Sequence, residues 1–533
     1  MNKTFFSFIL AIVTCVVVKA QNPYLPLWEF IPDGEPYVFD DPDCPGQKRV
    51  YIYGSHDMLK TAYCGLDLVL WSASVNDLKK WRYDGVIFES KKDALGRDLH
   101  SDGKGDVLYA PDIVEKTDST GHKVYYLYPN NQANGRKGMV CKSDRPDGPF
   151  TVCNWSKDDP TKTADLFGFD PAAFIDDDGR AYGYWGFKTS NGAELDANTM
   201  CSIKEGTDVV TNMIPGRRTD HTFRFFEASS IRKIKDKYVY IYSRQTNDGE
   251  NQLPSSNYNL AYCYSNNPLG PWTYGGTIID ARGIEHRPDG TSVITATPNG
   301  NTHGSICEIN GRWYVFYHRQ TGTSSFSRQA MVAPINVEVI EGKDGYVKIS
   351  EAEFTSEGFA TEGLDPYTRY AAGIACYYTG TRPSYEKYPD HKYFGSHTKP
   401  IYQQYDGTKD PFDPSINVCP MVDNMNGSTV GYKYFNFSNT YGKKGLKLLL
   451  NYTPDGTAGE MHIYLDRPST SEGGVEIGSF KIAAKGSKPT EAAIKVENLK
   501  HYNGKHALFF VLTSATEGKS ICQLNNFCFT ANK

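Results

Sequence analysis

Residues 237–243 read KYVYIYS, a tyrosine-rich pattern that recurs along the chain and therefore indicates the fold. Tyrosine and β-branched residues are typical of strands, and four similar segments occur in the chain: RVYIYGS (49–55), VYYLY (124–128), AYGYWG (181–186) and RWYVFYH (312–318). The steps are 74, 57, 56 and 76 residues, counted between Tyr51, Tyr125, Tyr182, Tyr238 and Tyr314. Such recurrence indicates five copies of one supersecondary unit.

Two of the repeats also end alike, with SDRPDGPFTV at 143–152 and SNNPLGPWTY at 265–274. Each unit is predicted to be a four-stranded antiparallel sheet, because a tyrosine-rich strand is followed by a second strand with a serine and by a Gly-Pro-aromatic turn. Five such sheets arranged radially make a five-bladed β-propeller, which closes on itself and protects its sheet edges. The sequence therefore predicts an all-β protein.

A polar residue stands upstream of each tyrosine-rich strand, 11 to 18 residues before the tyrosine: Asp33, Asp112, Asp170, Glu227 and His303. The first strand of each blade lines the axis of a propeller, so these side chains are predicted to converge there. Four acids and a histidine at one place make a candidate active site.

Each of these residues also has a purely structural interpretation. Asp33 and Asp170 adjoin prolines and suit turns, and Asp112 suits a backbone amide cap. His303 alone would suit a core position, and Glu227 would suit an ion pair with Arg224, Arg232 or Arg328. Recurrence at one register favours the shared site, because turn residues need not keep step with the blades.

The composition limits the class of protein. Residues 1–20 have a lysine, a short apolar run and a final alanine, which predicts a signal peptide and a secreted or periplasmic chain. Basic and acidic residues number 57 and 62, which argues against nucleic acid and against membrane binding. Cys141 and Cys153 flank a predicted hairpin, so a disulfide between them is possible.

The chain from about 22 to 345 resembles glycoside hydrolase family 43. The resemblance rests on PDGEP (32–36), FDPAAFIDDDGRAYGYWG (169–186), FEASSIRKIKDKYVYIYS (226–243), THGSICEINGRWYVFYHR (302–319) and SRQ (327–329). It implies a five-bladed propeller enzyme that cleaves arabinofuranosides, xylosides and related sugars with inversion, and no organic cofactor.

The resemblance also implies roles for individual residues. Asp33 matches the general base, Asp170 the residue that orients the acid and tunes its pKa, and Glu227 the general acid. His303 resembles a histidine that holds calcium or another hydrated cation on the axis. Arg328 resembles an arginine that reaches the bound sugar.

Physical chemistry agrees with the carboxylate roles. Inversion needs a carboxylate that activates water and a carboxylic acid that protonates the leaving oxygen, with room for the water between them. Glu227 must keep its proton near neutral pH, so it needs apolar neighbours and a nearby negative charge. We expect Phe225, on the same face of an extended strand, and Asp170 to supply them.

Three aromatic residues are candidates for stacking on the substrate. Tyr109, in LYAPDI, stands where many family members have tryptophan, so the identity of the sugar stays open. Trp28 and Trp185 suit stacking surfaces and core positions equally well. Asp112 completes the predicted substrate-binding set.

A second domain is predicted after the propeller, which we place at 21–345. A linker at 346–371 leads to alternating strands at 372–533, and most of 427–530 resembles a family 6 carbohydrate-binding module, a β-sandwich. The aromatic pair that such modules use for sugar is not evident, which favours a supporting role. Tyr377, Tyr378 and Tyr385 are candidates to reach the propeller.

The sequence thus predicts an exo-acting, inverting glycosidase on plant oligosaccharide or polysaccharide, with α-L-arabinofuranosidase as the leading activity. A β-xylosidase or a galactan-cleaving exo-enzyme would use the same three carboxylates. A propeller that binds sugar without turnover is the alternative of another class.

Overall fold

The computed structural model describes residues 21–59, 62–99, 103–132, 137–164, 166–287, 289–297, 300–321, 326–380, 399–400 and 418–532. The predicted signal peptide and Tyr385 lie outside these residues. In the described chain no helix is long and apolar enough to cross a membrane. Helical structure there consists of short 3-10 helices: Glu250–Gln252, Ala372–Ile374, Phe437–Asn439, Thr470–Glu472 and Glu497–His501.

The first three tyrosine-rich repeats each form a four-stranded antiparallel sheet whose strands pair in chain order. Blade 1 contains β1 (Glu35–Asp40), β2 (Lys48–Tyr53), β3 (Asp67–Ser74) and β4 (Trp81–Glu89). Blade 2 contains β5 (Asp112–Thr117), β6 (Lys123–Tyr128), β7 (Cys141–Ser143) and β8 (Thr151–Val152). Blade 3 contains β9 (Ala172–Ile175), β10 (Ala181–Gly186), β11 (Ser190–Leu195) and β12 (Val210–Thr211).

The last two repeats complete the ring. Blade 4 contains β13 (Phe225–Ile234), β14 (Lys237–Arg244), β15 (Asn259–Ser265) and β16 (Thr273–Asp280). A hairpin follows, with β17 (Ile284–His286) and β18 (Ser292–Ile294). Blade 5 contains β19 (Ser305–Ile309), β20 (Arg312–Gln320) and β21 (Arg328–Ile335), and a second hairpin has β22 (Val337–Val339) and β23 (Val347–Ile349). The predicted five-bladed propeller is confirmed.

Burial explains the composition of the tyrosine-rich strands. Every residue of β14 is buried, because the faces of each blade are covered by its neighbours. Tyrosine rings fill these spaces: Tyr184 of blade 3 lies 5.7 Å from Tyr240 of blade 4, and Tyr125 of blade 2 lies 5.2 Å from Phe39 of blade 1. The first strands β1, β5, β9, β13 and β19 contact one another along the axis.

The described chain begins on the last blade, beside β21. Asn22 is fully buried, and its side chain forms both hydrogen bonds of a strand neighbour with Val332, donating to the carbonyl at 2.8 Å and accepting from the amide at 3.1 Å. The amide of Tyr24 donates to Ala330, and the amide of Asn22 donates to Ser356. Residues 22–24 therefore flank the outer edge of blade 5 and tie it to the chain that follows the propeller.

The C-terminal region is a β-sandwich, as predicted. One sheet has the order β26-β27-β34-β29-β32 with β24 also paired to β34, and the other has the order β25-β28-β33-β30-β31. The strands are β24 (Tyr370–Ala371), β25 (Tyr377–Thr379), β26 (Lys399–Pro400), β27 (Met421–Asn424), β28 (Thr429–Asn436), β29 (Lys447–Pro454), β30 (Gly459–Leu465), β31 (Val475–Ile482), β32 (Thr490–Lys495), β33 (Lys505–Thr513) and β34 (Cys522–Thr530). In β29 buried and half-buried residues alternate, which is the pattern of a strand with one face in a core.

The two domains share a continuous apolar core, and polar contacts add to it. Arg319 of blade 5 is 1% exposed and donates to the carbonyls of Gly373 and Ala375 at the start of the sandwich. The Tyr378 amide donates to the Thr295 carbonyl at 2.6 Å, and its hydroxyl lies 3.1 Å from the Thr297 hydroxyl. Tyr377 lies in a separate small cluster, where its ring centroid is 5.3 Å from that of Phe509.

The cysteines differ from the sequence-based expectation. Cys141 lies opposite Val152 in the ladder, and Cys141 and Cys153 are both free thiols. The Cys153 sulfur lies 3.6 Å from that of Cys201, in blade 3, so its nearest thiol partner is in another blade. The predicted hairpin pairing fails because Cys153 follows the end of β8 by one residue and is not in register with Cys141.

Candidate active site

The predicted carboxylates and the histidine come together where the first strands of the blades begin. Asp33 lies two residues before β1, Asp170 two before β9 and His303 two before β19. Glu227 is the third residue of β13. The His303 Nδ1 atom lies 3.8 Å from a carboxylate oxygen of Asp170. All four side chains are buried, so they share an environment that is largely shielded from water.

The backbone is unusual at the same places. Asp33 has φ 60°, Asp170 has φ 53° and Ala228, next to Glu227, has φ 65°. The left-handed region is rarely occupied by residues other than glycine and is unfavourable for them. Three such residues beside three carboxylates indicate a backbone shaped by function, since strain of this kind clusters at active sites.

Asp33 is surrounded by groups that favour its ionised form. The Arg328 guanidinium lies 3.1 and 3.2 Å from the two carboxylate oxygens, and the Ser55 hydroxyl donates at 2.5 Å. Burial works against the charge, but the Arg328 guanidinium and the hydrogen bond from Ser55 outweigh it and hold the pKa of Asp33 below its ordinary value. Asp33 is therefore a carboxylate at neutral pH.

Arg328 is itself held from behind by Asp57. The Asp57 carboxylate accepts from the Arg328 guanidinium twice, at 2.8 Å each, and also from the amides of Arg328 and Cys64. All of these groups are buried, so each charge depends on its partner. Arg328 thus forms a fixed bridge between Asp57 and Asp33.

His318 contacts the backbone of Asp33. Its Nδ1 atom accepts from the Asp33 amide at 3.2 Å, and its Nε2 atom lies 2.7 Å from the Asn301 carbonyl, to which it donates. This pattern requires the neutral ring with its proton on Nε2. Burial agrees, because it lowers the pKa of His318 to about 4.

Glu227 has the opposite environment. It forms no ion pair with any arginine or lysine of the described chain, so the ion-pair interpretation is wrong. Burial, and then the negative charge of Asp33, raise the pKa of Glu227 to about 8. Glu227 therefore carries a proton at neutral pH.

The source of this environment differs from the expectation in two ways. The register of β13 against β14 shifts on both sides of Glu227, so the face of an extended strand is not kept, and the Phe225 ring packs on Tyr242. The negative charge that raises the pKa of Glu227 comes mainly from Asp33, not from Asp170. Burial, then Glu227, then Asp33 raise the pKa of Asp170 as well, so Asp170 is a poor source of negative charge.

Asp170 holds the backbone beside Glu227. One carboxyl oxygen accepts from the Ala228 amide at 3.0 Å, and the other accepts from the Asn130 side chain at 3.0 Å. These bonds join blades 2, 3 and 4 at the left-handed residue next to Glu227. Asp170 is thereby placed to orient Glu227 through its backbone.

Asp112 is held by contacts with two neighbouring blades. Its oxygens accept from the Tyr37 hydroxyl and the Ala173 amide, both at 2.7 Å, and it is 1% exposed. Burial and the charge of Glu35 raise the pKa of Asp112 to about 7. Asp112 thus belongs to a buried network that joins blades 1, 2 and 3, and its contact with a substrate stays a prediction.

The three candidate aromatic residues also differ in exposure. Trp28 is 9% exposed and packs on Trp71, with ring centroids 6.2 Å apart. Trp185 packs on Phe167, at 5.3 Å, within a cluster between blades 2 and 3. Tyr109 is half-buried and lies 5.2 Å from Phe169, the residue before Asp170. Tyr109 thus contacts the residue next to one of the predicted carboxylates.

Several residues of the site have no counterpart among the predicted ones: Ser55, Asp57, Asn130, Asn301 and His318. Ser55 and His318 do carry a signal, because each is the polar residue that ends a tyrosine-rich segment, RVYIYGS or RWYVFYH. In each blade the tyrosine-rich strand is the second strand and pairs antiparallel with the first. The end of the second strand therefore lies beside the start of the first, where the predicted carboxylates are. Nothing in the local sequence indicates Asp57 or Asn301.

Comparisons with known proteins find one family and several named relatives. A family model described as glycosyl hydrolases family 43 matches residues 39–339. A xylosidase/arabinosidase of Thermoclostridium stercorarium is 35% identical over 434 residues, which cover 78% of this chain and 82% of that protein. An arabinoxylan arabinofuranohydrolase of Paenibacillus polymyxa is 25% identical over 527 residues, which cover 95% and 72%.

A solved structure is similar in fold. The arabinoxylan arabinofuranohydrolase of Bacillus subtilis, in complex with cellotetraose, aligns with 96% of this chain and 97% of its own. The sequence identity is 20% and the TM-score is 0.45.

Proposed function

The chain belongs to glycosyl hydrolase family 43 and is a glycoside hydrolase, and on that premise we propose that it is an exo-acting, inverting α-L-arabinofuranosidase. The substrate would be an arabinoxylan-type plant polysaccharide or its fragments. Support for the sugar comes from the relatives, one a xylosidase/arabinosidase and one an arabinoxylan arabinofuranohydrolase that aligns with both domains.

The observation that carries the proposal is the opposite displacement of two carboxyl pKa values within one buried cluster. The pKa of Asp33 lies below its ordinary value and that of Glu227 is about 8. In the proposed reaction Asp33 takes a proton from water, which attacks the anomeric carbon, while Glu227 gives its proton to the leaving oxygen. Two carboxyl groups in contrasting environments are the pattern of an acid and a base.

Other residues have supporting roles in this proposal. Arg328 keeps Asp33 ionised, and the family resemblance implies that it would also contact the sugar. Asp170 orients Glu227 through the Ala228 amide. Tyr109 is placed near the rim beside Phe169, where it would contact the bound sugar.

Comparing aryl α-L-arabinofuranoside with aryl β-D-xyloside tests the sugar. We expect the arabinofuranoside to have the larger kcat/KM, and a larger value for the xyloside would establish the second candidate, a β-xylosidase. That candidate is supported by the relative that carries both activities in its name. Proton NMR of the first released sugar tests inversion, because the initial anomer must be opposite to that of the substrate.

The Glu227→Gln variant separates an enzyme from a protein that only binds sugar. Hydrolysis of natural substrate should fall by about 10² or more if Glu227 is the acid. Glu351→Gln is the matched control, because burial also raises the pKa of Glu351, to about 7, in the chain that follows blade 5. Equal hydrolysis by wild type and Glu227→Gln would contradict the assignment.

We also propose that a hydrated cation such as calcium lies on the axis near His303. Glu35 Oε1 and His303 Nε2 are buried without a hydrogen-bond partner and lie 3.9 Å apart, which suits ligands that act through water. No set of three or more His, Cys, Asp or Glu side chains is arranged to bind a metal directly in the described chain. Calcium binding by equilibrium dialysis should be lost in His303→Ala, and its absence in the wild type would contradict the proposal.

Export and the role of the second domain complete the proposal. N-terminal sequencing of the protein from its native cells should give a start near Gln21, whereas a retained Met1 would argue against export. The sandwich resembles a carbohydrate-binding module but is proposed to act as a support, because buried Arg319 donates to its backbone. Deletion of the chain after 371 should therefore yield insoluble protein, and a soluble, active propeller would contradict this role.

A further inference from the structure

An aromatic ledge lies beside the carboxylate cluster on the side of Glu227, and we define it as Phe169, Phe187 and Phe226. Phe169 precedes Asp170 and Phe226 precedes Glu227, so the backbone of the site fixes both rings. The Phe187 ring joins them, with its centroid 5.7 Å from Phe169 and 5.5 Å from Phe226. Phe187 is 46% exposed, more than any other phenylalanine of the described chain.

Two cations lie on the ledge. The Lys188 ammonium is 4.4 Å from the centre of the Phe187 ring, and the Arg217 guanidinium is 5.6 Å from that of Phe226. Arg217 also donates to the Gln245 side chain, and Arg218 is exposed beside it. The ledge is thus both apolar and positively charged.

The charges of the ledge are not neutralised by neighbouring carboxylates. Lys188, Arg217 and Arg218 have no carboxylate within 4 Å in the part of the chain that the structure describes. Elsewhere on blades 3 and 4 basic residues are paired: Arg180 with Asp178 at 2.7 Å, Lys204 with Glu194 at 2.6 Å, and Lys233 with Asp176 at 2.5 Å. Lys188, Arg217 and Arg218 are therefore available to an external anion.

The position of the ledge decides which part of a substrate it meets. Under the proposed function, on which this inference rests, Glu227 gives its proton to the oxygen that joins the cleaved sugar to the rest of the substrate. The chain that leaves must therefore pass on the Glu227 side, next to Phe226 and Phe187. Aromatic rings there suit the apolar faces of sugar rings.

We propose that the ledge binds the leaving-group chain, and that Lys188 and Arg217 make it favour a xylan-type chain with uronic acid substituents over a neutral one. The phenylalanine rings hold the sugar faces, and the two cations attract the uronate carboxylate. An exposed ion pair changes an equilibrium by up to about fivefold, so two cations provide selectivity without being needed for cleavage.

The test uses two arabinose-bearing xylo-oligosaccharides that differ only in one glucuronic acid on a neighbouring xylose. At low salt the wild type should have a kcat/KM several-fold higher for the acidic one, about fivefold to tenfold. The preference should shrink in 0.5 M NaCl, because salt screens exposed charges. In Lys188→Gln/Arg217→Gln the ratio should fall close to one.

Lys204→Gln is the matched control, since Lys204 is a basic residue of blade 3 that already has a carboxylate partner. It should keep the wild-type ratio. Phe187→Ala should raise KM for both oligosaccharides, because stacking does not depend on charge. Thermal unfolding of each variant shows that the comparison is made on folded protein.

Equal kcat/KM values in the wild type, or a preference that survives in Lys188→Gln/Arg217→Gln, would overturn the inference. Release of sugar from either oligosaccharide would leave the proposed function standing in that case. If neither is cleaved, the proposed function fails, and calorimetric binding of the same two compounds then decides the inference: tighter binding of the acidic one supports it, and equal binding refutes it.

Discussion

The two sides of the carboxylate cluster hold their charges by different means. On the Asp33 side, an arginine, a serine and a histidine contact one aspartate, and a second aspartate holds the arginine. On the Glu227 side the glutamate is buried without an ion pair, and a hydrogen bond from the Ala228 amide to Asp170 positions the neighbouring backbone. Two carboxyl groups of the same chemistry thus have pKa values shifted in opposite directions, below the ordinary value for Asp33 and up to about 8 for Glu227.

Because the Asp33 side relies on paired charges and the Glu227 side on burial, we expect the two sides to respond differently to mutation. The Asp33 side depends on charges that were removed from water together, so loss of one partner leaves the other uncompensated. The Glu227 side depends on burial and on backbone geometry, so small steric changes matter there.

Asp33→Asn removes the proposed base and should give the largest effect. The amide cannot accept a proton from water, so kcat/KM should fall by about 10³ to 10⁴. The variant keeps the shape of the side chain and should fold. Restoration of turnover by azide, with a glycosyl azide as product, would show that only the base is missing, whereas a loss of less than tenfold would contradict the role of Asp33.

Asp57→Asn tests whether the Asp33 side works as a linked set. Arg328 lowers the pKa of Asp33 against the effect of burial, so a loosened Arg328 lets that pKa rise. The acidic limb of the kcat/KM profile should then move to higher pH, and activity near pH 6 should fall about tenfold.

Asp280→Asn provides the control for Asp57→Asn. Asp280 is a buried aspartate paired with Arg282 at 2.7 Å, at the end of β16. Its loss should lower stability without moving the acidic limb. An unchanged pH profile in Asp57→Asn would show that Asp57 has only a structural role.

The Glu227 side sets the alkaline limb of the wild type. Glu227 must be protonated to act as an acid, and its pKa is about 8, so kcat/KM should fall above about pH 8. A glycosyl fluoride, whose leaving group needs no proton, should lose this limb under the same conditions. An alkaline limb shared by both substrates would assign it to another group.

Ala228→Gly should give the smallest effect. Ala228 has φ 65°, which glycine adopts freely, so the free energy of unfolding should rise by up to about 1 kcal/mol. The same change at Ala173, in β9, should lower it, because glycine weakens a strand interior. Urea unfolding of both variants compares them, and a loss of stability in Ala228→Gly would show that this backbone is not strained.

The fold could be predicted largely because its period is visible in one residue type. Tyrosine suits strands covered on both faces, and five such segments mark five blades. The register of Asp33, Asp170, Glu227 and His303 followed from the same period. The sandwich was predicted from the alternating strands at 372–533 and from the resemblance over most of 427–530.

The remaining features of the site depend on contacts between distant residues. The β-bulges beside Glu227 break the period of two, so the face of Phe225 could not be predicted from spacing. Asp57 and Arg328 are 271 residues apart, and only the closed ring brings them together. Asp112 follows the predicted register, but its hydrogen bond from the Tyr37 hydroxyl could not be predicted from the sequence.

The contact between Asn22 and Val332 has a consequence for the order in which the chain acquires its structure. The two residues are separated by 310 positions, so the last blade gains its outer neighbour only from the opposite end of the domain. Contacts of such sequence separation slow folding. We therefore expect the propeller to close last, after all five sheets have formed. Until then the nascent chain would be an incomplete propeller with exposed sheet edges, which chaperones would need to protect.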